Sequence, residues 1–165
     1  MSADRLAHRA GGQALAAYLH GVRTDELRLT GITLWFPHRI SRRTELLAEL
    51  AVGLTGVAAV SRYRFGPDDP GVPVVTWSFS RCELEDLREA HSIVGELAAL
   101  GDDDVFFETW SQALYLISYP TCWRTIERIA ASLVRDRLTG SEVREIIEQV
   151  ASEQQITFPP TERLA

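Results

Sequence analysis

Apolar residues recur at helical spacing along most of the chain, which predicts a mainly helical protein. The first helix is expected over residues 2 to 20 and the second over residues 42 to 63, with Ser41 as its N-cap. Between them, residues 27 to 36 alternate around Thr30-Gly31, a pattern typical of a short hairpin or a pair of strand segments. The N-terminal part of the chain therefore predicts a helix, a small β element and a long helix. Gly53 and Gly56 inside the long helix indicate the close approach of another helix.

The C-terminal part repeats the helical pattern behind two capping boxes. One runs from Ser80 to Glu83 and opens a helix, and the other runs from Thr139 to Glu142 and opens the last helix, which is expected to end near residue 152. Two further helices are expected over residues 105 to 118 and 122 to 137. Pro120 is expected to break the chain between these two helices.

Residues 65 to 80 form the least regular part, because several prolines and a glycine exclude a helix there. Trp77 and Phe79 belong either to a short strand or to a flap over a cleft, and both interpretations stay open. We predict a mainly α, single-domain protein over residues 1–155, with a small β-hairpin or strand element. A C-terminal tail follows over residues 156–165.

Composition excludes several classes of function. The 165-residue chain carries a formal net charge of −6, which argues against binding to nucleic acid. All 17 basic residues are arginine, so Schiff-base chemistry and the phosphate-binding lysine of a P-loop are excluded. Cys82 and Cys122 fit no metal-binding spacing and are interpreted as buried thiols.

No segment predicts targeting or membrane insertion. The first residues are polar and charged and lack the apolar core of a secretory signal. The longest apolar stretch, residues 50 to 60, is too short to span a bilayer. We therefore expect a cytoplasmic protein with neither nucleic acid nor membrane as a partner.

The run from His8 to Gln13 carries the most informative pattern in the chain. A zinc-protease helix contains His-Glu-x-x-His, with two metal ligands one turn apart and a general base beside the first. Here His8 stands at the first ligand position, Arg9 stands where the glutamate is needed, and Gly12 stands at the second histidine position.

Four segments, in the same order, resemble the peptidase domain of FtsH-type zinc metalloproteases and its small stand-alone actinobacterial relatives. They are similar to that family's His-Glu-Ala-Gly-His-Ala helix, its Gly-Gly-x-Ala-Ala-Glu stretch, its Asn-Asp-Leu-x-x-Ala motif and its Leu-Thr-Gly-x-Glu turn. The matching segments are His8-Arg9-Ala10-Gly11-Gly12-Gln13-Ala14, Leu54-Thr55-Gly56-Val57-Ala58-Ala59, Glu85-Asp86-Leu87-Arg88-Glu89-Ala90 and Leu138-Thr139-Gly140-Ser141-Glu142. The resemblance covers most of residues 5 to 150 and implies a helical, metalloprotease-like fold.

The resemblance also implies that the zinc site is incomplete. Catalytic zinc needs three protein ligands and a water. Carried over by position, His8 and Asp86 stand at two ligand positions, while Gly12 offers no ligand and Arg9 replaces the base. Because a permanent cation beside the metal position repels a dication, we expect no metal, no cofactor and no zinc-peptidase activity.

A replacement interaction follows from the same residues. If Arg9 pairs with Asp86, a guanidinium supplies the positive charge that zinc supplied, and a costly unpaired carboxylate is avoided. The alternative is that both residues face solvent.

The vacated cleft is the candidate ligand site. Replacing histidine by Gly12 is expected to leave space there, and Trp35, Trp77 or Phe79 are expected either to wall this space or to belong to the core. The expected ligand of this cleft is a peptide, a protein segment or a small molecule.

Three interpretations of function stay open. The leading one is a pseudoenzyme that serves as a binding or regulatory module, alone or as a homo-oligomer. The second is a repurposed metal-free enzyme of a biosynthetic pathway, with His8 as acid and base, Asp86 as the carboxylate that orients it, and Arg9 as an anion clamp. The third is a structural subunit without an open cleft.

Overall fold

A computed structural model of the chain describes residues 2–66, 81–133, 137–154 and 158, without the side chains of residues 81, 82 and 154. Within these residues it contains six helices and a three-stranded antiparallel sheet, so the predicted mainly α fold with a small strand element is confirmed. In chain order the elements are α1 Ala3–Leu19, β1 Arg23–Arg28, β2 Gly31–Trp35, α2 Arg42–Phe65, α3 Arg81–Ala99, α4 Val105–Ser118, α5 Pro120–Leu133, β3 Leu138–Thr139 and α6 Gly140–Gln154.

Helices α1 and α2 form the centre of the molecule. Helix α1 packs against α2 and α5, while α2 also packs against α3 and α4. Buried positions follow one another around nearly the whole circumference of α2 between Leu46 and Ser61. A helix that is apolar on all sides belongs in a core. Helix α2 is long and apolar enough to cross a membrane, but 72% of its most apolar window is buried inside the protein.

Glycines let the central helices approach closely. A Cβ built at Gly56 of α2 would lie 2.7 Å from Cγ of Gln13, and one built at Gly11 of α1 would lie 2.9 Å from the carbonyl oxygen of Ile126. The sequence predicts such an approach at Gly53 and Gly56. It is confirmed at Gly56 and wrong at Gly53, where a Cβ would meet nothing within 4 Å.

The small sheet has the strand order β2-β1-β3. Strands β1 and β2 form the predicted hairpin, with Arg28 opposite Gly31. Ile32, Leu34 and Phe36 pack against a second small core that is formed by residues of α1 and α2 and by Val22. The sequence did not predict β3, because two residues carry no alternation to recognise.

Two helix starts follow the sequence and one does not. Ser41 caps α2 by accepting a hydrogen bond from the backbone N–H of Thr44 at 3.1 Å. The Thr139–Glu142 capping box forms, with the Thr139 N–H donating to Glu142 Oε2 at 2.7 Å. The predicted break between α4 and α5 falls at Tyr119, but α5 begins at Pro120 rather than at Cys122, because a proline at the first helical position needs no N–H and its fixed φ suits the first turn.

Candidate functional site

The centre of the candidate site is an ion pair between α1 and α3. Nε of Arg9 donates to Oδ2 of Asp86 and Nη2 donates to Oδ1, each at 2.5 Å. The two side chains are 7% and 8% exposed. The predicted pair is therefore formed, it is bidentate, and it is buried. A planar guanidinium matches a carboxylate in this way, whereas a lysine ammonium does not.

A second ion pair lies beside the first. Arg5 precedes Arg9 by four residues on α1, and Glu83 precedes Asp86 by three on α3, so each pair of like residues shares one helix face. Nη2 of Arg5 donates to Oε2 of Glu83, whose side chain is only 1% exposed. The N-terminal halves of α1 and α3 are thus joined by two adjacent salt bridges.

Arg9 also connects these two salt bridges to the β1–β2 hairpin. Its Nη1 donates to the carbonyl oxygen of Thr30, in the turn between β1 and β2, at 3.5 Å. One side chain thus contacts α3 and the β turn from α1. Its hydrogen bonds engage both oxygens of Asp86, a residue that the sequence resemblance gives as a candidate zinc ligand.

Burial dominates the electrostatics of Asp86. Loss of solvent raises the pKa of the carboxyl above its ordinary value, and the hydrogen bonds and charge of Arg9 oppose this shift only in part. Glu83 and Glu85 raise the pKa further through their negative charge. The stability of this ion pair therefore depends on two opposing free energies, as is usual for buried salt bridges. Desolvation of the two charges is unfavourable, and their attraction and hydrogen bonds are favourable.

His8 lies one position from Arg9 but contacts other elements. Its ring stacks on Tyr63 at a centroid distance of 4.2 Å and on Trp123 at 5.6 Å. Its Nδ1 lies 2.7 Å from the carbonyl oxygen of Asp4. Both oxygens of Asp86 are bonded to Arg9 instead, so the contacts of the described residues do not include the His8–Asp86 pair that the enzyme hypothesis requires.

The expected space at Gly12 is a wrong prediction. A Cβ built there would lie 2.7 Å from the carbonyl oxygen of Thr55 and 2.8 Å from Cβ of Ala59. The missing side chain has not left a cavity, because α2 approaches and fills the position. A histidine, and therefore a third zinc ligand, does not fit at residue 12 on this backbone, and no zinc-dependent step is assigned to this protein.

The other candidate wall residues do not assemble around this position. Trp35 ends β2, is 42% exposed, and has Arg23 above its ring at 5.7 Å. Thr30, which contacts Arg9, precedes the other end of β2, and a five-residue strand is about 17 Å long. Trp77 and Phe79 lie outside the described residues, as do Ser80 of the first capping box and the side chain of Cys82.

Metal-ligating residues do not gather elsewhere in the part of the chain that the structure describes. No group of three or more histidine, cysteine, aspartate or glutamate side chains there has a suitable arrangement for a metal ion. His8 and Asp86, the two ligand candidates that the sequence resemblance implies, make other contacts.

The sequence reasoning missed the aromatic surroundings of His8. Tyr63 lies in the last turn of α2 and Trp123 lies in the first turn of α5. Arg62 lies over the Trp123 ring at 4.6 Å and donates to the carbonyl oxygen of Ile117. These residues are distant in the sequence, so only the arrangement of the helices brings them together. Gln13 was also missed: its side-chain oxygen is buried, and among the described residues it has no hydrogen-bond partner.

One open pocket lies away from the ion pair, between the C-terminal end of α1, β1 and the first half of α6. Its volume is about 700 Å³. Charged side chains of both signs line it, among them Arg23, Asp25, Arg144 and Glu148. Binding pockets for small molecules are usually more apolar than this one.

Comparison of the sequence with protein-family models returned no match, and comparison with curated proteins returned none either. The site must therefore be interpreted from its own residues.

Proposed function

We propose that this chain is a metalloprotease-like domain that has lost peptidase chemistry and acts as a cytoplasmic binding module for a peptide or protein segment. The observation that carries the first half of this proposal is the buried Arg9–Asp86 pair beside the closely packed Gly12. An active zinc site needs a base at position 9 and metal ligands at positions 12 and 86. In this chain all three positions make structural contacts instead.

The ion pairs support the proposal because they can hold α1 and α3 together where no zinc is bound. A structural metal joins elements that do not bury enough apolar surface against each other. Helices α1 and α3 do not pack closely along their length, so the Arg5–Glu83 and Arg9–Asp86 pairs are the main connection between their described residues. A guanidinium clamp therefore supports the geometry that the metal supports in the family it resembles.

Strand β2 supports the second half of the proposal. It is an edge strand of the sheet among the described residues, because its only neighbour there is β1. An edge strand offers unpaired backbone groups that an extended peptide can use as an added strand. Ile32 and Leu34 face the core, whereas Thr33 and Trp35 are exposed beside this edge.

Metal content and hydrolysis test the loss of peptidase chemistry. The purified protein is dialysed against zinc and then against buffer, analysed for bound metal, and incubated with casein. We expect less than about 0.1 zinc per chain and no zinc-dependent cleavage. One zinc per chain, or cleavage that a chelator abolishes, would overturn the proposal.

Peptide binding is tested separately with casein as an unfolded probe. Backbone amide shifts are followed by NMR, and we expect the changes to concentrate on Gly31–Trp35. Trp35→Ala should weaken binding, whereas Tyr115→Ala should not, although Tyr115 is a similarly exposed aromatic at 54% against 42%. Shifts elsewhere, or equal effects of both variants, would reject β2 as the binding edge.

A further inference from the structure

The open pocket beside α6 has a firmly held base. One of its walls is the start of β1 with the end of α1, and the other is the first half of α6. The walls meet at Gly140, where a Cβ would overlap the carbonyl oxygen of Thr24. The Thr139–Glu142 capping box and the pairing of Thr139 with Glu26 fix the same corner. The pocket is therefore a defined part of the fold.

Three of the residues that line the pocket are apolar or aromatic. Val22 and Val143 are buried, so they form part of its floor. The ring of Tyr18 is partly buried, and Phe158 contacts it edge-on at a centroid distance of 6.3 Å. An apolar group of a ligand gains free energy by burial against these side chains.

Helix α6 adds charges that the protein does not neutralise itself. Arg144, Glu145 and Glu148 line the pocket, are exposed, and form no ion pair with a described residue. Arg144 and Glu148 lie four residues apart and share one helix face, but an arginine that precedes a glutamate is the less favourable order for pairing. On the opposite wall, Arg23 and Asp25 already form an ion pair, with Nε 3.0 Å from Oδ1.

We propose that this pocket binds a zwitterion of dipeptide size. The ligand carboxylate lies at Arg144, its ammonium lies at Glu148, and an apolar side chain packs near Tyr18. Four residues of an α-helix rise about 6 Å, and two extended peptide residues span at most about 7 Å, so the two terminal charges of a dipeptide have a suitable separation. The pocket volume of about 700 Å³ lies within the range of small-molecule sites.

The mixed charges of the pocket select against simpler ligands. A plain anion is attracted by Arg144 but repelled by Glu145 and Glu148, and a plain cation leaves Arg144 without a partner. An internal segment of a longer peptide carries neither terminal charge. The pocket lies at the β3 side of the sheet, so this inference does not depend on peptide binding at the β2 edge.

Titration with alanyl-phenylalanine, followed by backbone amide NMR, tests the site. We expect saturable shifts over residues 18–25 and 140–149, with a dissociation constant of roughly 0.1–1 mM for a ligand of this size. Residues 31–35 of β2 should not shift, which separates this site from the proposed peptide edge. Shifts that are absent up to about 10 mM, or that fall outside the pocket, would overturn the proposal.

Capped ligands assign each charge to its partner. Alanyl-phenylalanine amide lacks the carboxylate and N-acetyl-alanyl-phenylalanine lacks the ammonium, so each should bind about three- to fivefold more weakly, the size of an exposed ion pair. Arg144→Gln should abolish the preference over the amide, and Glu148→Gln should abolish the preference over the acetylated ligand. Each preference is a ratio measured within one protein, so a change in stability does not imitate its loss.

Arg88→Gln and Glu108→Gln are the matched controls. Arg88 and Glu108 are also exposed helical residues that form no ion pair with a described residue, and they do not line the pocket. Both controls should keep both preferences. Equal binding of the three ligands by the parent protein, preferences that survive in Arg144→Gln and Glu148→Gln, or equal losses in the controls would each overturn the proposal.

Discussion

Arg9 and Asp86 form a bidentate salt bridge that links α1 to α3 in an almost fully buried position. The two residues are 77 positions apart in the sequence, and the fold brings their side chains into direct contact. Their geometry gives each carboxylate oxygen one donor. The pair therefore satisfies both charges locally, and its removal has predictable consequences.

Breaking the buried pair should strongly destabilise the protein. Arg9→Met leaves Asp86 buried without its cation, and such a loss costs about 3–5 kcal/mol in the free energy of unfolding. Chemical denaturation followed by circular dichroism measures it. The matched control is Arg128→Met at the exposed Arg128–Glu153 pair, which is also bidentate but 44% and 41% exposed, and which should cost less than about 1 kcal/mol.

The double variant separates the pair from its parts. Arg9→Met combined with Asp86→Leu removes both charges and replaces them with apolar side chains of useful size. Because no lone charge remains buried, the double variant should recover most of the stability lost in Arg9→Met. A double variant as unstable as the sum of the two single variants would contradict a coupled ion pair.

The pKa of Asp86 gives a pH dependence with a definite sign. Burial holds the folded-state pKa above the unfolded value of about 3.9, so between these two values the folded state binds more protons. The contribution of this carboxyl to stability is therefore complete at low pH and falls as the pH rises through the folded pKa. Subtracting the Asp86→Asn curve from the parent curve should show that fall, and a difference that grows with pH would contradict it.

The sequence predicted helices and strands correctly where the pattern of apolar and polar residues extends over many positions. Helix α4 has the predicted bounds, and the hairpin turns at Leu29-Thr30, one residue before the predicted Thr30-Gly31. It failed at β3, where a tertiary pairing decides, and at the start of α5, where Pro120 takes the first helical position. The prediction of 122–137 for the next helix begins two residues late for the same reason.

The candidate site likewise has features that the sequence predicts and features that only the fold determines. The Arg9–Asp86 pair was predictable, because a gained cation and a retained anion demand each other once both are buried. The closed position at Gly12 was not predictable, since a glycine in a helix is compatible with a cavity or with a close helix neighbour, and only the approach of α2 decides between them. The stacking of His8 on Tyr63 likewise depends on where α2 ends against α1.

Cys122 should be almost unreactive in the folded protein. Its side chain is fully buried, and burial raises the pKa of the thiol to about 12. At pH 8 only about one thiol in ten thousand is then ionised, and the thiolate is the reactive form. In a Cys82→Ser variant, a chromogenic disulfide reagent should therefore label less than about 5% of Cys122 in an hour.

The control for this measurement is the same variant in denaturant, where one thiol per chain should react within minutes. Rapid, complete labelling without denaturant would show that α5 opens on that timescale or that Cys122 is accessible.

Substitutions at two glycines should have opposite effects on stability. Gly12→Ala places a Cβ against the α2 backbone at Thr55, so it should destabilise by about 1–3 kcal/mol despite the better helix propensity of alanine. Gly53→Ala is the matched control, because a Cβ there meets nothing within 4 Å and alanine should stabilise α2 by up to about 1 kcal/mol. Thermal and denaturant unfolding of both variants measure the difference.

The same steric argument predicts the outcome of restoring the zinc motif. The double variant Arg9→Glu, Gly12→His rebuilds the sequence His-Glu-x-x-His, yet it removes the cation that neutralises Asp86 and forces an imidazole against Thr55 and Ala59. Both changes act on the contact between α1 and its neighbours, so we expect a protein that unfolds more readily and does not bind zinc. A stable double variant that binds one zinc per chain would show that α1 and α2 separate easily, and the packing at Gly12 would then not be the reason why the metal site is lost.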